Sequence, residues 1–246
     1  KFNVYDGSDH THPVLSIKNV DDNELRKNVE MLIENKVDFL KAYEMLSPSQ
    51  FKLLTELAKK NNLKLTGHVP LSINVEIASS SGLNSIEHFR NIELSMTKMT
   101  NDLLKERKAI LKNKSALRGA SLRSLLHNKQ RMRSIYNLDS SKIKNVVDIL
   151  AKNDTWQIPT LKLYKNSAYK IYKSDEYINN LNLLPIEIKN NWEKEISSED
   201  NKLDKERIDF TKWQSSMVKY MHKKGIIFMA GTDTPIGFLV PGLSLH

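Results

Sequence analysis

Lys41, His68, His88 and Asp233 each stand at or near the end of a short, mostly apolar run: VDFLKAYE, LKLTGHV, SIEHF and GIIFMAGTD. In parallel α/β folds, functional groups gather at the carboxyl ends of strands, where loops leave the core and polar groups can face a shared cavity. One nitrogen or oxygen donor per run is the pattern of a site assembled from several strands. Two imidazoles and a carboxylate brought together in this way form a hard-to-borderline metal centre, suited to zinc or to manganese, iron or cobalt. The 246 residues contain no cysteine, which excludes thiolate ligands, cysteine nucleophiles and disulfides within the chain and leaves nitrogen and oxygen to hold any metal. A divalent ion lowers the pKa of bound water from about 15.7 to roughly 7, so hydroxide becomes available at neutral pH. A carboxylate beside that water can take its proton and pass it to a leaving nitrogen. Asp233 has this chemistry, Gly231 leaves space around it, and Tyr43 and Arg90, just beyond their strands, are candidate contacts for substrate or oxyanion.

Taken singly, each residue has a plainer explanation. A lone histidine on a strand is more often packed and hydrogen-bonded than a ligand. Lys41 could be an ordinary ion-paired lysine, and Thr-Asp-Thr-Pro around Asp233 is common turn chemistry. The constellation carries the inference, so the elements that would position it matter.

Asp21 with Glu24 has the form of a capping box, followed by Leu25, Val29, Leu32 and Ile33 at helical spacing. After the run around Lys41, Ser47 as N-cap, Pro48 at the first helical position and Gln50 at the third predict a second helix through Phe51, Leu54, Leu57 and Ala58. LKLTGHV, a shorter helix over residues 73–80 ending at Gly82, and SIEHF continue the alternation. Strands separated by single helices imply crossovers and a parallel sheet, an α/β fold. Two long stretches interrupt this rhythm before the strand candidates TWQIPTL and GIIFMAGTD. Both are polar and helix-forming, too long for bare loops, and are read as helical insertions at about residues 90–154 and 163–223 of a single domain spanning 1–246.

A formal charge of +9 raises nucleic acid as a partner. Its distribution argues against that. Residues 98–144 hold thirteen Lys or Arg against Asp102, Glu106 and Asp139, a local excess larger than the total for the chain, with Tyr136 the only aromatic nearby for base stacking. This segment is expected to be a solvated helical face or a lid. No apolar stretch is long enough for a membrane span. Trp156, Trp192 and Trp213 are available for an apolar pocket wall.

The ordered set DFLKAYE, TGHVP, NSIEHF, IPTL, AGTDTP and PGLSLH resembles the amidohydrolase superfamily, and within it the imidazolonepropionase-like and Xaa-Pro-dipeptidase-like group. The likeness covers essentially the whole chain outside the two insertions. It implies a (β/α)8 TIM barrel with a one- or two-metal centre, zinc by expectation, at its C-terminal mouth, hydrolysing an amide, lactam or ester of a small molecule. By the same resemblance Lys41 matches the fourth-strand lysine, which in many members is carboxylated and bridges two metals. His68 matches the fifth-strand ligand, His88 the sixth-strand ligand, and Asp233 the eighth-strand acid that binds metal and takes the proton of the attacking water.

The pattern departs from the family at both ends. His10 and His12 in DHTHP imitate a first-strand His-x-His pair, but only 29 residues separate His12 from Lys41 and YDGSD reads as a turn, so the pair is assigned to a loop. The sequence breaks off within PGLSLH. It therefore reads as an internal piece of the catalytic barrel, starting near the third barrel strand, without the first strands or the accessory β-domain. Such an incomplete barrel is expected to hold metal weakly, to be inactive by itself and, through open strand edges, to form a homo-oligomer. The alternative is a non-catalytic barrel serving as an interaction scaffold.

Overall fold

In the computed structural model of the chain, which describes residues 4–8, 11–12, 15–113 and 117–245, the caps written into the sequence are made. The short strands β1 (Val4–Asp6) and β2 (Ser16–Lys18) come first. The Asp21 carboxylate accepts the Glu24 amide at 2.8 Å and Glu24 accepts the Val20 amide, opening α1 (Asp22–Glu34). After β3 (Phe39–Ala42), Ser47 and Gln50 exchange reciprocal hydrogen bonds of 3.1 Å and start α2 (Pro48–Lys60). Strand β4 (Lys64–Gly67) leads to α3 (Val75–Ser81), which ends at Gly82 with φ 116°, a left-handed stop favouring glycine. Strand β5 (Ser85–Glu87) follows.

The sheet has the order β2-β1-β3-β4 and is parallel throughout. Period-two alternation divides β3 and β4 into two faces. Leu40, Ala42 and Leu65 are wholly buried, with α2 packed on these strands, whereas Lys41 and Thr66 point the other way. Each fully buried leucine here stabilises the fold by about 1.5–3 kcal/mol relative to exposure. A second sheet pairs β5 with β6 (Trp156–Ile158). Asn84 joins the two: its amide donates to the Leu65 carbonyl, its side-chain oxygen accepts the Leu65 amide, and its carbonyl accepts the Trp156 amide.

Between these strands lie α4 (Ile92–Ser95), α5 (Thr100–Lys112), α6 (Gly119–Ile135) and α7 (Ser140–Lys152). They belong to a first compact unit, Lys1–Gln157 with Met221–Phe228. The second unit, Ile158–Tyr220 with Met229–His246, carries α8 (Leu161–Tyr169), α9 (Asp175–Asn180), α10 (Ile186–Ser198) and most of α11 (Lys205–Lys223). It has a core of its own, with Tyr172, Tyr177, Leu181, Ile196 and Val240 buried against Trp192 and Phe238. The chain is thus a mostly helical α/β protein. Among the described residues no helix is long and apolar enough to cross a membrane.

Two sequence readings are corrected. Tyr5 and Asp6 belong to β1 rather than to a turn, because the strand pairs on both sides with β2 and β3. GIIFMAGTD is not a strand: its single bridge, Gln157 to Phe228, is isolated, and the Gly225 and Ile226 amides turn back to the His222 and Met221 carbonyls at the end of α11. Apolar character alone does not make a strand without a partner edge.

Candidate metal centre

The polar face of β3 and β4 continues into β5. Lys41 Nζ lies 2.5 Å from Glu87 Oε2, and Thr66 Oγ1 lies 2.5 Å from Ser85 Oγ and 3.4 Å from Glu87 Oε1. Immediately beyond the strand ends stand the two histidines. His68 Nε2 and His88 Nε2 are 3.7 and 3.6 Å from Glu87 Oε2, with the imidazoles edge to face at 5.1 Å. Ligand atoms of His68, Glu87 and His88 all lie within 4.8 Å of one another. Burial resists ionisation of Glu87, but the His88 hydrogen bond, His68 and Lys41 outweigh it and hold the carboxyl far below the usual carboxylate range. Glu87 is therefore an anion facing two imidazoles.

The backbone is bent to permit this. Gly67 has φ 122°, and a Cβ there would lie 2.2 Å from the Ala42 carbonyl oxygen, the same oxygen that accepts the His68 amide at 3.0 Å. Only glycine lets the chain pass so close before His68. His88, Phe89 and Asn91 all have left-handed φ, 58°, 53° and 64°. Three non-glycine residues in this region within four positions is strain of the kind that surrounding contacts must hold, and it gathers at functional sites.

Behind His68 lies Glu44, fully buried. Its Oε1 meets His68 Nδ1 at 2.9 Å and its Oε2 meets His127 Nε2 of α6 at 2.6 Å, while Arg123 Nη1 and Arg90 Nε stand 3.6 and 3.8 Å from Oε1. Burial favours the neutral acid, but the facing His127 and His68 rings and the Arg90 charge outweigh it and hold Glu44 ionised, well below its ordinary pKa. Burial in turn drives His68 and His127 down to about 4 and about 3. Burial opposes an imidazolium at either ring, and a neutral imidazole can still donate an N–H to Glu44. Asn91 Nδ2 reaches Glu44 Oε2 at 3.4 Å and the Val69 carbonyl at 2.8 Å, and its oxygen accepts Arg107 Nη1 at 2.9 Å. Arg107, with no exposure, also donates to Gln130 at 2.7 Å.

Tyr43 is stacked on His68 at 4.3 Å; its hydroxyl accepts from Arg123 at 2.9 Å and lies 3.1 Å from His12 Nε2. Burial pushes its pKa up to about 12, so the phenol keeps its proton. His12 thus adjoins the tyrosine; its companion His10 lies outside the described residues.

The donor set fits a divalent metal on one direct observation. His68 Nε2 is buried and has no hydrogen-bond partner, although it points into a polar cluster. With the Nδ1 proton given to Glu44, Nε2 offers a lone pair beside a carboxylate and a second imidazole, a borderline nitrogen and oxygen set suited to zinc.

Of the sequence-assigned residues, His68 and His88 come together, with Lys41 reaching them through Glu87, and Tyr43 and Arg90 lie against His68 and Glu44. Asp233 belongs to the second unit, half-buried with φ 60°, and its carbonyl accepts the Ile236 amide. The space beside Gly231 is taken by Ile158, whose Cγ2 a Cβ would meet at 2.4 Å. Trp213 is buried against Phe210, and Trp192 packs on Phe238; both serve the second unit's interior. Glu44, Glu87 and His127 were not singled out from sequence, although Glu44 and Glu87 lie inside the quoted runs KAYE and SIEHF.

No protein-family model and no curated protein matches the chain. Among solved structures, bottromycin amidohydrolase matches 99% of this chain and 48% of its own, with TM-score 0.64 and 16% identity. A Xaa-Pro dipeptidase with bound methionine matches 88% of this chain and 39% of its own, with TM-score 0.44 and 13% identity. A. niger ochratoxinase matches 98% and 45%, with TM-score 0.46 and 12% identity. The chain shares the fold of the first over about half that protein's length, and the family likeness read from the ordered motifs is met at the level of the fold.

Proposed function

We propose that the chain is the catalytic part of a metal-dependent amidohydrolase, an incomplete (β/α)8 barrel whose parent hydrolyses a C–N bond in a small amide, lactam or dipeptide-like substrate. The observation that carries this reading is the bare, buried Nε2 of His68 beside Glu87 and His88. A divalent ion, zinc for this ligand set, would supply activated water there. His68, Glu87 and His88 would hold it. Lys41, now an ammonium paired with Glu87, balances that carboxylate's charge and, carboxylated, would become a ligand itself. Tyr43, whose hydroxyl lies between Arg123 and His12, and Arg90 would orient a substrate or its oxyanion. Asp233 keeps, on sequence grounds, the role of metal ligand and proton acceptor.

Calorimetric titration of Zn2+ into the chelator-stripped chain tests the reading. Saturable binding of one ion, lost in His68→Ala and His88→Ala, is the expected result; equal binding by wild type and both variants would end it. The chain alone is expected to hydrolyse amides feebly or not at all, a homo-oligomer is expected by light scattering, and neither nucleic acid nor membrane is a proposed partner.

A further inference from the structure

The helical insertion reaches the candidate centre through one carboxylate. Glu44 presents its two oxygens to imidazoles from different elements, His68 Nδ1 at 2.9 Å and His127 Nε2 at 2.6 Å. An ionised carboxylate only accepts, so both rings must turn an N–H toward it. For His127 the other nitrogen agrees. Its Nδ1 lies 3.3 Å from Arg131 Nη2, and because a guanidinium only donates, Nδ1 is the acceptor and Nε2 carries the proton. For His68 the consequence is larger, since a proton on Nδ1 leaves Nε2 bare, and that nitrogen has no hydrogen-bond partner beside Glu87 and His88.

Glu44 itself is held from α6. Arg123 Nη1 bridges Tyr43 Oη at 2.9 Å and Glu44 Oε1 at 3.6 Å, and Tyr43 stacks on the His68 ring. A second tie runs through Arg107 and Asn91, which also reaches Glu44. Imidazoles that bind metals are commonly oriented from their second nitrogen by a carboxylate.

We infer that Glu44, gripped by His127 and Arg123 of α6, is a positioning residue that fixes the tautomer and ring orientation of His68, so that the insertion helix governs how well the centre holds a metal. The affinity clause rests on the proposed function. The tautomer clause does not, and the test separates them.

The first measurement is a long-range 1H–15N spectrum of the metal-free chain at neutral pH with 15N-labelled histidine, assigned with His68→Gln. His68 is expected as the Nδ1–H tautomer, and a proton on Nε2 overturns the inference whatever the metal result. The second is Glu44→Gln, whose amide offers one acceptor oxygen and an NH2 donor group where the carboxylate offered two acceptor oxygens, so it cannot satisfy both rings as donors. Zn2+ affinity is expected to fall about 10–100-fold, with a second tautomer in the spectrum. Unchanged affinity with an unchanged spectrum overturns the inference, and if wild type binds no Zn2+, the proposed function fails while the spectra still decide this one. Glu44→Asp, which keeps the charge, should recover part of the affinity; a purely structural Glu44 would lower thermal stability without moving either readout.

Discussion

The two helical insertions look alike as sequence and are held together by opposite means. Both are polar, low in glycine and rich in lysine. In the first, three arginines are drawn inward. Arg107 is fully buried on Asn91 and Gln130, and Arg123 and Arg131 line the approach to Glu44 and Glu93. In the second, Lys205, paired to Asp209, and Arg207, paired to Asp204, stay exposed, and although Lys170 is largely covered beside Asp200, the interior is Tyr172, Tyr177, Leu181 and Ile196. Charge counted along a chain therefore says little about where the charge goes. Most lysines of the first insertion are exposed, and Arg107, Arg123 and Arg131 depart from the expected solvated face or lid because buried carboxylates and amides draw them inward.

The comparison breaks most readily at Arg107. Replacing it by Met leaves the oxygens of Asn91 and Gln130 without their donor in a dry interior, and the unfolding free energy is expected to fall by roughly 3–5 kcal/mol. Burial lowers the Arg107 pKa to about 10, which still leaves it charged at neutral pH. Urea unfolding measures the change, and a loss below about 1 kcal/mol would mean that the network does not hold the first insertion. For the second insertion the matching variant is apolar. Leu181→Ala removes a fully buried side chain and is expected to lower stability by roughly 2–5 kcal/mol.

His127 sharpens the contrast through pH. His127→Leu leaves Glu44 Oε2 without its closest donor and should lower stability by about 1–3 kcal/mol at neutral pH. The folded-state pKa values of His68 and His127, about 4 and about 3, lie below the ordinary 6.5, so the unfolded chain takes up protons that the folded chain refuses. Stability from this source is complete above pH 6.5 and is lost as pH falls toward the folded values. Two such rings give a slope of up to about 2.7 kcal/mol per pH unit between 6.5 and 4.5, and His127→Leu should halve it. Glu44, whose pKa is also lowered, adds loss of the same sign only below its own ordinary value. Denaturation curves in the presence of chelator at several pH values read the slope directly.

How much of this was legible depends on the range of the interactions. Caps and helical periods are local, so Asp21, Ser47, Pro48 and Gln50 announce α1 and α2, and Gly82 announces the end of α3. His68 and His88 could be placed at strand ends because each follows an apolar run. Strands of three residues, such as β1 and β2, carry too few positions for a period to register. Glu44 and Glu87 stood between the named donors, yet nothing local distinguishes a glutamate at the hub of a buried network from one in solvent. His127 left a fainter trace: Leu122, Leu126 and Gln130 recur at helical spacing on the buried side of α6, and Arg123, His127 and Arg131 follow one position behind. A basic helix whose apolar stripe is bordered by polar residues at the same spacing is turning those residues toward something.

The smallest expected effect is the one that most directly pairs the insertions. Arg207, in the second, donates to Ser167 Oγ at 3.0 Å and lies 3.4 Å from Asp204, against 2.7 and 2.9 Å for the Arg107 contacts. It is 63% exposed, however, so water replaces whatever the protein loses and salt screens the pair. Arg207→Met is therefore expected to change stability by no more than about 0.5 kcal/mol. The same substitution at Arg107 removes a guanidinium of the same chemistry from a site where no water waits to take its place. Similar losses at both positions, measured in the same urea series, would mean that burial does not separate the two insertions.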